Sequence, residues 1–213
     1  MKYSVLAQLY EDLSKTTKRL EKIEILSQFL KHLPKSDKDY LYLLHGRIYP
    51  EYDERRIGIS NQLAIKAIAK AAGREVEAVT KEWKSIGDLG IVAEVLIGHK
   101  KQTTLHSKTL TTEKVLENLR KLPQLEGQGT INKKLSLITE LLSSASSTEA
   151  KYLIRTLIGD LRVGIQESTI REALAKAFFP KTQKESAEKI QKAIDKTNDL
   201  ATVFEMTSSK KEK

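Results

Sequence analysis

The chain has 213 residues, enough for one large domain or two small ones with a real buried core and no need of a disulfide or metal staple. Thirty-seven Lys and Arg against 28 Asp and Glu give a formal charge of +9, and 39% hydrophobic with 31% charged residues is the balance of a globular chain rather than a disordered or membrane-embedded one. The absence of cysteine excludes a disulfide framework, a thiolate nucleophile and Cys-ligated zinc, and fits an intracellular setting.

Met1 and Lys2 are not followed by an apolar leader, and the most apolar run, Gly90 to Gly98, is broken by Glu94, so neither export nor a membrane span is expected. Apolar residues then recur at helical spacing. The first stripe is Ile23, Leu26, Leu30 and Leu33, closed by Pro34; Ser36 with Asp39 reads as a capping box for the next helix. Breaks follow at Pro50, Gly73 and Gly87 around a stripe of Val76, Val79 and Trp83, whose indole is expected in the core. Asp88 stands where a helix begins, and Gly98 ends that helix. Beyond Pro123 and Gly127 to Gly129 comes the stripe Leu135, Ile138, Leu141 and Leu142. Ser146 with Glu149 and Thr182 with Glu185 are two further boxes, separated by the Gly159 to Gly164 break and Pro180, and Asp199 starts a last helix. With strand signals nearly absent, the class is all-α with about twelve short helices.

An internal repeat organises them. Gly58 to Ala71 aligns without gaps on Gly164 to Ala177 with six identities in fourteen. Downstream, Gly87-Asp88-Leu89-Gly90 with Val92 and Glu94 answers to Asn198-Asp199-Leu200-Ala201 with Val203 and Glu205; upstream, Tyr40-Leu41 answers to Tyr152-Leu153. A period of roughly 110 residues is too long for a solenoid and predicts two pseudo-symmetric halves. They cover about 1–98 and 111–206, with a connector at about 99–110 and a linker stub at 207–213.

Two acid-free stretches draw attention. Residues 95–112 hold Lys100, Lys101 and Lys108 with Gln102. Residues 127–139 place Gly127, Gly129, Thr130 and Asn132 ahead of Lys133 and Lys134 at a helix start, where unpaired N–H groups and adjacent lysines suit an anion such as phosphate; a solvated basic turn is the plainer alternative. Gly159 to Gly164 has Walker-type glycine spacing, yet Ile165 and Gln166 stand where Lys and Ser or Thr are required, so a nucleotide loop is rejected. Its backbone can still approach a phosphate closely and Arg162 can reach the same anion, or Gly159 is a helix cap and Arg162 a surface charge. His32, His45, His99 and His106 form no ligand spacing, so no metal is expected, and no nucleophile elbow is visible, so no catalytic residue is assigned. The residues alone lead to a basic, helical, two-halved domain with nucleic acid as the favoured partner.

Three strings go further: Arg55 to Ile68 (RRIGISNQLAIKAI), Lys84 to Glu94 (KSIGDLGIVAE) and Gly127 to Phe178, which contains Gly-Asp-Leu-Arg-Val-Gly-Ile. They resemble the N-terminal DNA-binding domain of archaeal and eukaryotic replicative ATP-dependent DNA ligases, in the same order and over nearly the whole chain. The resemblance implies an all-α domain that grips the minor groove and phosphates on both sides of a nick, in DNA replication, repair and recombination. Its contacts fall on Gly159, Arg162 and Gly164 and on Gly127, Gly129, Thr130, Lys133 and Lys134, and pseudo-symmetry adds Gly58 and Ser60. Asp160 departs from the basic residue that relatives often carry, which argues against a phosphate contact there.

The implied partners are nicked double-stranded DNA, the adenylation and OB-fold domains of the same protein and a sliding clamp, with no membrane. ATP and Mg serve the parent enzyme, whose nucleophile lies in a Lys-x-Asp-Gly motif that this sequence lacks. The chain alone, an excised or truncated domain, is therefore expected to bind no cofactor and seal no nick, in an intracellular and, if archaeal, cytoplasmic setting. The competing class is a helical protein-interaction scaffold, for which the +9 is incidental; a self-sufficient enzyme is disfavoured for want of a nucleophile.

Overall fold

A computed structural model describes residues 1–99 and 109–209. The connector residues Lys100, Lys101, Gln102, His106 and Lys108, and residues 210–213 of the stub, lie outside the described residues. The described residues form twelve α-helices: α1 (Tyr3–Ser14), α2 (Arg19–His32), α3 (Tyr40–Leu44), α4 (Asn61–Ala72), α5 (Val76–Ile86), α6 (Leu89–Gly98), α7 (Thr112–Lys121), α8 (Thr130–Ser144), α9 (Ser147–Leu157), α10 (Glu167–Phe178), α11 (Gln183–Thr197) and α12 (Leu200–Ser209). Beside three short 3-10 turns, the other regular feature is an isolated antiparallel bridge between Lys2 and Thr111. The class is all-α.

The helices form two compact units. One comprises Met1–Gln8 with Arg56–Leu161, the other Leu9–Arg55 with the chain from Arg162 onward. In the first, α4 packs on α8 and α6 on α9, while α4, α5 and α6 pack on one another. In the second, α10 packs on α2 and α12 on α3, while α10, α11 and α12 pack on one another. Each pairing in the second is a pairing in the first moved along by six helices, which is the repeat expressed in packing. The first unit holds α4 to α6 with α7 to α9, and the second α10 to α12 with α2 and α3, while α1 is divided after Gln8, so each unit takes chain from both of the sequence halves.

Periodicity accounts for the buried faces. Ile23, Leu26 and Leu30 of α2 are buried with Leu33 just past its end, as are Ile138, Leu141 and Leu142 of α8, beside a half-buried Leu135. On α5 only Val79 is fully buried; Trp83 is half-buried rather than enclosed. Of the three expected capping boxes, Ser146 with Glu149 forms in both directions. The other two do not: Ser36 lies inside a 3-10 turn with its hydroxyl on Asp37, and Thr182 turns its hydroxyl to Ser186. Both aspartates expected at helix starts do cap, Asp88 accepting from the N–H groups of Gly90 and Ile91 and Asp199 from those of Ala201 and Thr202.

The Gly-Asp-Leu-Gly string is likewise explained by packing. Asp88 is buried and accepts a 2.7 Å bond from Nη2 of Arg155 on α9, while Leu89 is in the core. A Cβ on Gly90 would lie 2.7 Å from Cγ of Arg155 and 2.9 Å from the Lys151 carbonyl oxygen, so only glycine lets α6 approach α9 this closely.

Candidate nucleic-acid interface

Three helix entries carry the expected site residues. Ahead of α4, Ile57 and Ile59 are buried and Gly58 between them faces outward at φ +61°. A Cβ there would meet nothing closer than the Arg56 carbonyl oxygen at 3.8 Å, so the left-handed backbone, not space, requires glycine. Ser60 ends the turn, its Oγ accepting from the Leu63 N–H at 3.3 Å. Ahead of α10, Val163 is buried and Ile165 half-buried, and Gly164 faces outward at φ +59°. Two entries aligned by sequence thus share the left-handed φ of their glycine, although Ser60 caps α4 and Gln166 makes no side-chain cap on α10.

The third entry leads into α8. Gly127 and Gly129 have φ +78° and +81°, and the Thr130 hydroxyl donates to the Gly127 carbonyl at 2.6 Å. No side chain caps this helix and no acid stands in its first turn, so its N–H groups and partial positive charge face outward beside exposed Lys133 and half-buried Lys134. Among the described residues neither lysine is in an ion pair.

Gly159 stands at φ +74° just past α9, where Gly159 N–H reaches Thr156 and Asp160 N–H reaches the Arg155 carbonyl at 2.9 Å; it ends the helix and stays exposed. Beyond it, Leu161 and Val163 point inward and Arg162 outward. Arg162 takes φ +55°, a left-handed conformation uncommon for a residue with a side chain. By unit, Gly58, Ser60, Gly127, Gly129, Thr130, Lys133, Lys134 and Gly159 belong to the first, and Arg162 and Gly164 to the second.

Residues 2–175 match the family described as DNA ligase N terminus. The chain belongs to this family. The DNA ligase of Methanosphaera stadtmanae is 38% identical over 205 residues, 94% of this chain and 36% of the relative. The DNA ligase of Methanobrevibacter smithii is 37% identical over 214 residues, 100% of this chain and 38% of the relative. That of Nitrosopumilus maritimus is 34% identical over 210 residues, 98% and 35%. The chain spans little more than a third of the length of these relatives.

Within this ligase N terminus, sequence reasoning passed over one residue of the α10 entry. Lys22, on α2, is only 7% exposed, and its Nζ donates to the carbonyl oxygens of Val163 at 2.7 Å and Gly164 at 2.8 Å. Burial pulls its pKa below the ordinary lysine value. The repeat held the signal, since the spacing that aligns Tyr40 with Tyr152 aligns Lys22 with Lys134. Arg55, part of the matching strings, is committed elsewhere: it pairs with Asp53 at 2.6 Å and lies 3.8 Å over the Tyr49 ring. Among the described residues no group of three or more His, Asp and Glu is placed to hold a metal, and no helix is long and apolar enough to cross a membrane.

Proposed function

We propose that the chain binds duplex DNA without sequence preference, through the minor groove and the phosphates on both sides of a nick, as the DNA-binding module of an ATP-dependent DNA ligase in replication, repair and recombination. The observation that carries this is the pair of matching helix entries, in which Gly58 and Gly164 face outward at nearly the same positive φ between inward-facing apolar residues. A backbone that carries no side chain of its own approaches a phosphate closely, and at Gly164 the ammonium of Lys22 stands on the side where a Cβ would be. The uncapped, acid-free start of α8 with Lys133 and Lys134, and the left-handed, outward Arg162, add positive charge of the kind that neutralises phosphates.

Its partners in this role are nicked duplex DNA, the adenylation and OB-fold domains of the same protein and a sliding clamp. ATP and Mg²⁺ belong to the joining chemistry of those other domains, because the residues here offer neither a Lys-x-Asp-Gly nucleophile nor a set of metal ligands among the described residues.

Binding to a nicked duplex measured against salt tests the reading. If about five phosphates are neutralised, log K falls against log salt with a slope of roughly −4 to −5, and changing the base sequence has little effect. A flat salt response, or tight choice of one sequence, overturns it. Incubation with labelled ATP and Mg²⁺ is expected to leave no covalent lysine adenylate.

A further inference from the structure

Lys22 is buried, and among the described residues no carboxylate pairs with it. Its ammonium is met by two backbone carbonyls of the α10 entry, and it lies 2.8 Å from where a Cβ on Gly164 would sit. Carboxylates are near in the chain but engaged elsewhere: Glu21 pairs with Lys18, and Glu24 with Lys176 of α10. Arg19, on the preceding turn of α2, pairs with Glu172 of α10, so α2 and α10 are already tied at two exposed points.

The desolvation of this buried cation offsets part of what its two hydrogen bonds contribute, while its removal takes the donor away from the Val163 and Gly164 carbonyls. Stability alone therefore gives Lys22 a modest role. Its two bonds hold the carbonyls of Val163 and Gly164 toward α2, and its charge stands beside the exposed Gly164, 2.8 Å from where a Cβ on that residue would sit.

Resting on the proposed function, we infer that Lys22 is a positioning residue for DNA: it fixes the Gly164 turn in its phosphate-accepting shape and places an uncompensated positive charge beside it, whose pairing is completed by a backbone phosphate of the duplex. The inference sets Lys22 apart from Lys133, Lys134 and Arg162, which meet the solvent directly.

The test compares the wild-type chain with Lys22→Met on nicked duplex DNA, following affinity and thermal unfolding together. The expected result is an affinity about tenfold weaker or more at low salt, with a salt slope smaller by about one. A residue that merely supports the fold would lower Tm and leave the salt slope unchanged, and that result overturns the inference. So does Lys22→Met binding within about twofold of a wild type that itself binds with a steep salt dependence, an outcome that leaves the DNA-binding reading standing. A wild type that fails to bind removes both. Should Lys22→Met not fold, the wild-type ¹⁵N ammonium resonance of Lys22 decides: it is expected to shift as nicked duplex is titrated in, and an unmoved resonance overturns the assignment.

Discussion

In the first unit the aspartate that caps α6 faces an arginine; in the second the aspartate that caps α12 faces a tyrosine. Asp88 and Arg155 are both buried, and Nε and Nη2 of the guanidinium lie 3.5 and 2.7 Å from the two carboxylate oxygens. Asp199 is half-buried and takes the Tyr42 hydroxyl at 2.8 Å along with the Thr202 hydroxyl. Around each, the same plan continues: Glu94 pairs with Lys151, and Glu205 with Lys38. The lysines that the repeat aligns differ in the opposite sense. In the second unit Lys22 is spent on its own backbone, whereas its counterpart Lys134 in the first is half-buried and outside any ion pair among the described residues. One packing plan thus holds two chemistries, with a charged lock and an unspent lysine in one unit and a neutral donor and a buried lysine in the other.

The charged lock sets the largest expected effect. Removing one partner of a buried ion pair strands the other, so Arg155→Ala is expected to destabilise the chain by about 3–5 kcal/mol in urea unfolding. Tyr42→Phe removes only a hydrogen bond to a carboxylate that keeps other donors, and is expected to cost about 1.5 kcal/mol. Equal losses would mean that the two junctions are energetically alike despite their chemistry.

The second junction also carries a pH signature. Burial alone would raise the Asp199 pKa, but hydrogen bonds from Thr202 and Tyr42 and from backbone amides outweigh it and hold the carboxyl below its ordinary value. A carboxylate depressed in the folded state contributes stability that is fully present above the unfolded pKa, about 3.9, and lost as pH falls through the lower folded value. The gap in urea midpoint between wild type and Tyr42→Phe is therefore expected to be full at pH 7 and to shrink below about pH 4. A gap that widens in acid contradicts the assignment.

Helix number, helix starts and the repeat were legible because each leaves a local pattern: stripes for α2 and α8, Asp88 and Asp199 before apolar runs, Gly58 aligned on Gly164. The exchange of helix triplets between repeats was not, because an apolar stripe says that a face is buried and nothing of which helix buries it. Lys22 escaped for a related reason: beside Ile23 it reads as a charge at the edge of a stripe, and only the position of a distant turn makes it a buried donor. Gly-Asp-Leu-Gly carried recognition, and its residues build the α6 and α9 junction, so a string can identify a family through the packing it specifies.

The capping boxes give a smaller contrast between the units. Ser146 caps α9 with both bonds formed, so Ser146→Ala is expected to cost about 1 kcal/mol. Thr182 has the same spacing to its glutamate but a backbone at φ −119° and ψ 31°, outside the extended geometry that aims a cap at the helix. Thr182→Ala is expected to stay within about 0.5 kcal/mol in the same urea measurement, and a loss matching that of Ser146→Ala would show the box forming in solution.

The smallest change in stability belongs to the outward charges, and it separates binding from folding. Lys133 and Arg162 are exposed and Lys134 is half-buried, so the pair Lys133→Ala with Lys134→Ala, and Arg162→Ala alone, should each leave unfolding within about 0.5 kcal/mol of wild type. Arg162→Ala even retains the left-handed backbone as its main cost, since alanine is no freer there than arginine. On duplex DNA the two variants should differ by charge count. Each phosphate contact removed lowers the salt slope by about one, so the lysine pair in the first unit is expected to lose about two and Arg162 in the second about one. Lys2→Ala, an exposed lysine outside these entries, is the control and should leave the slope unchanged. Equal shifts at all of these positions would mean that the DNA responds to the net charge of +9 and not to the helix entries.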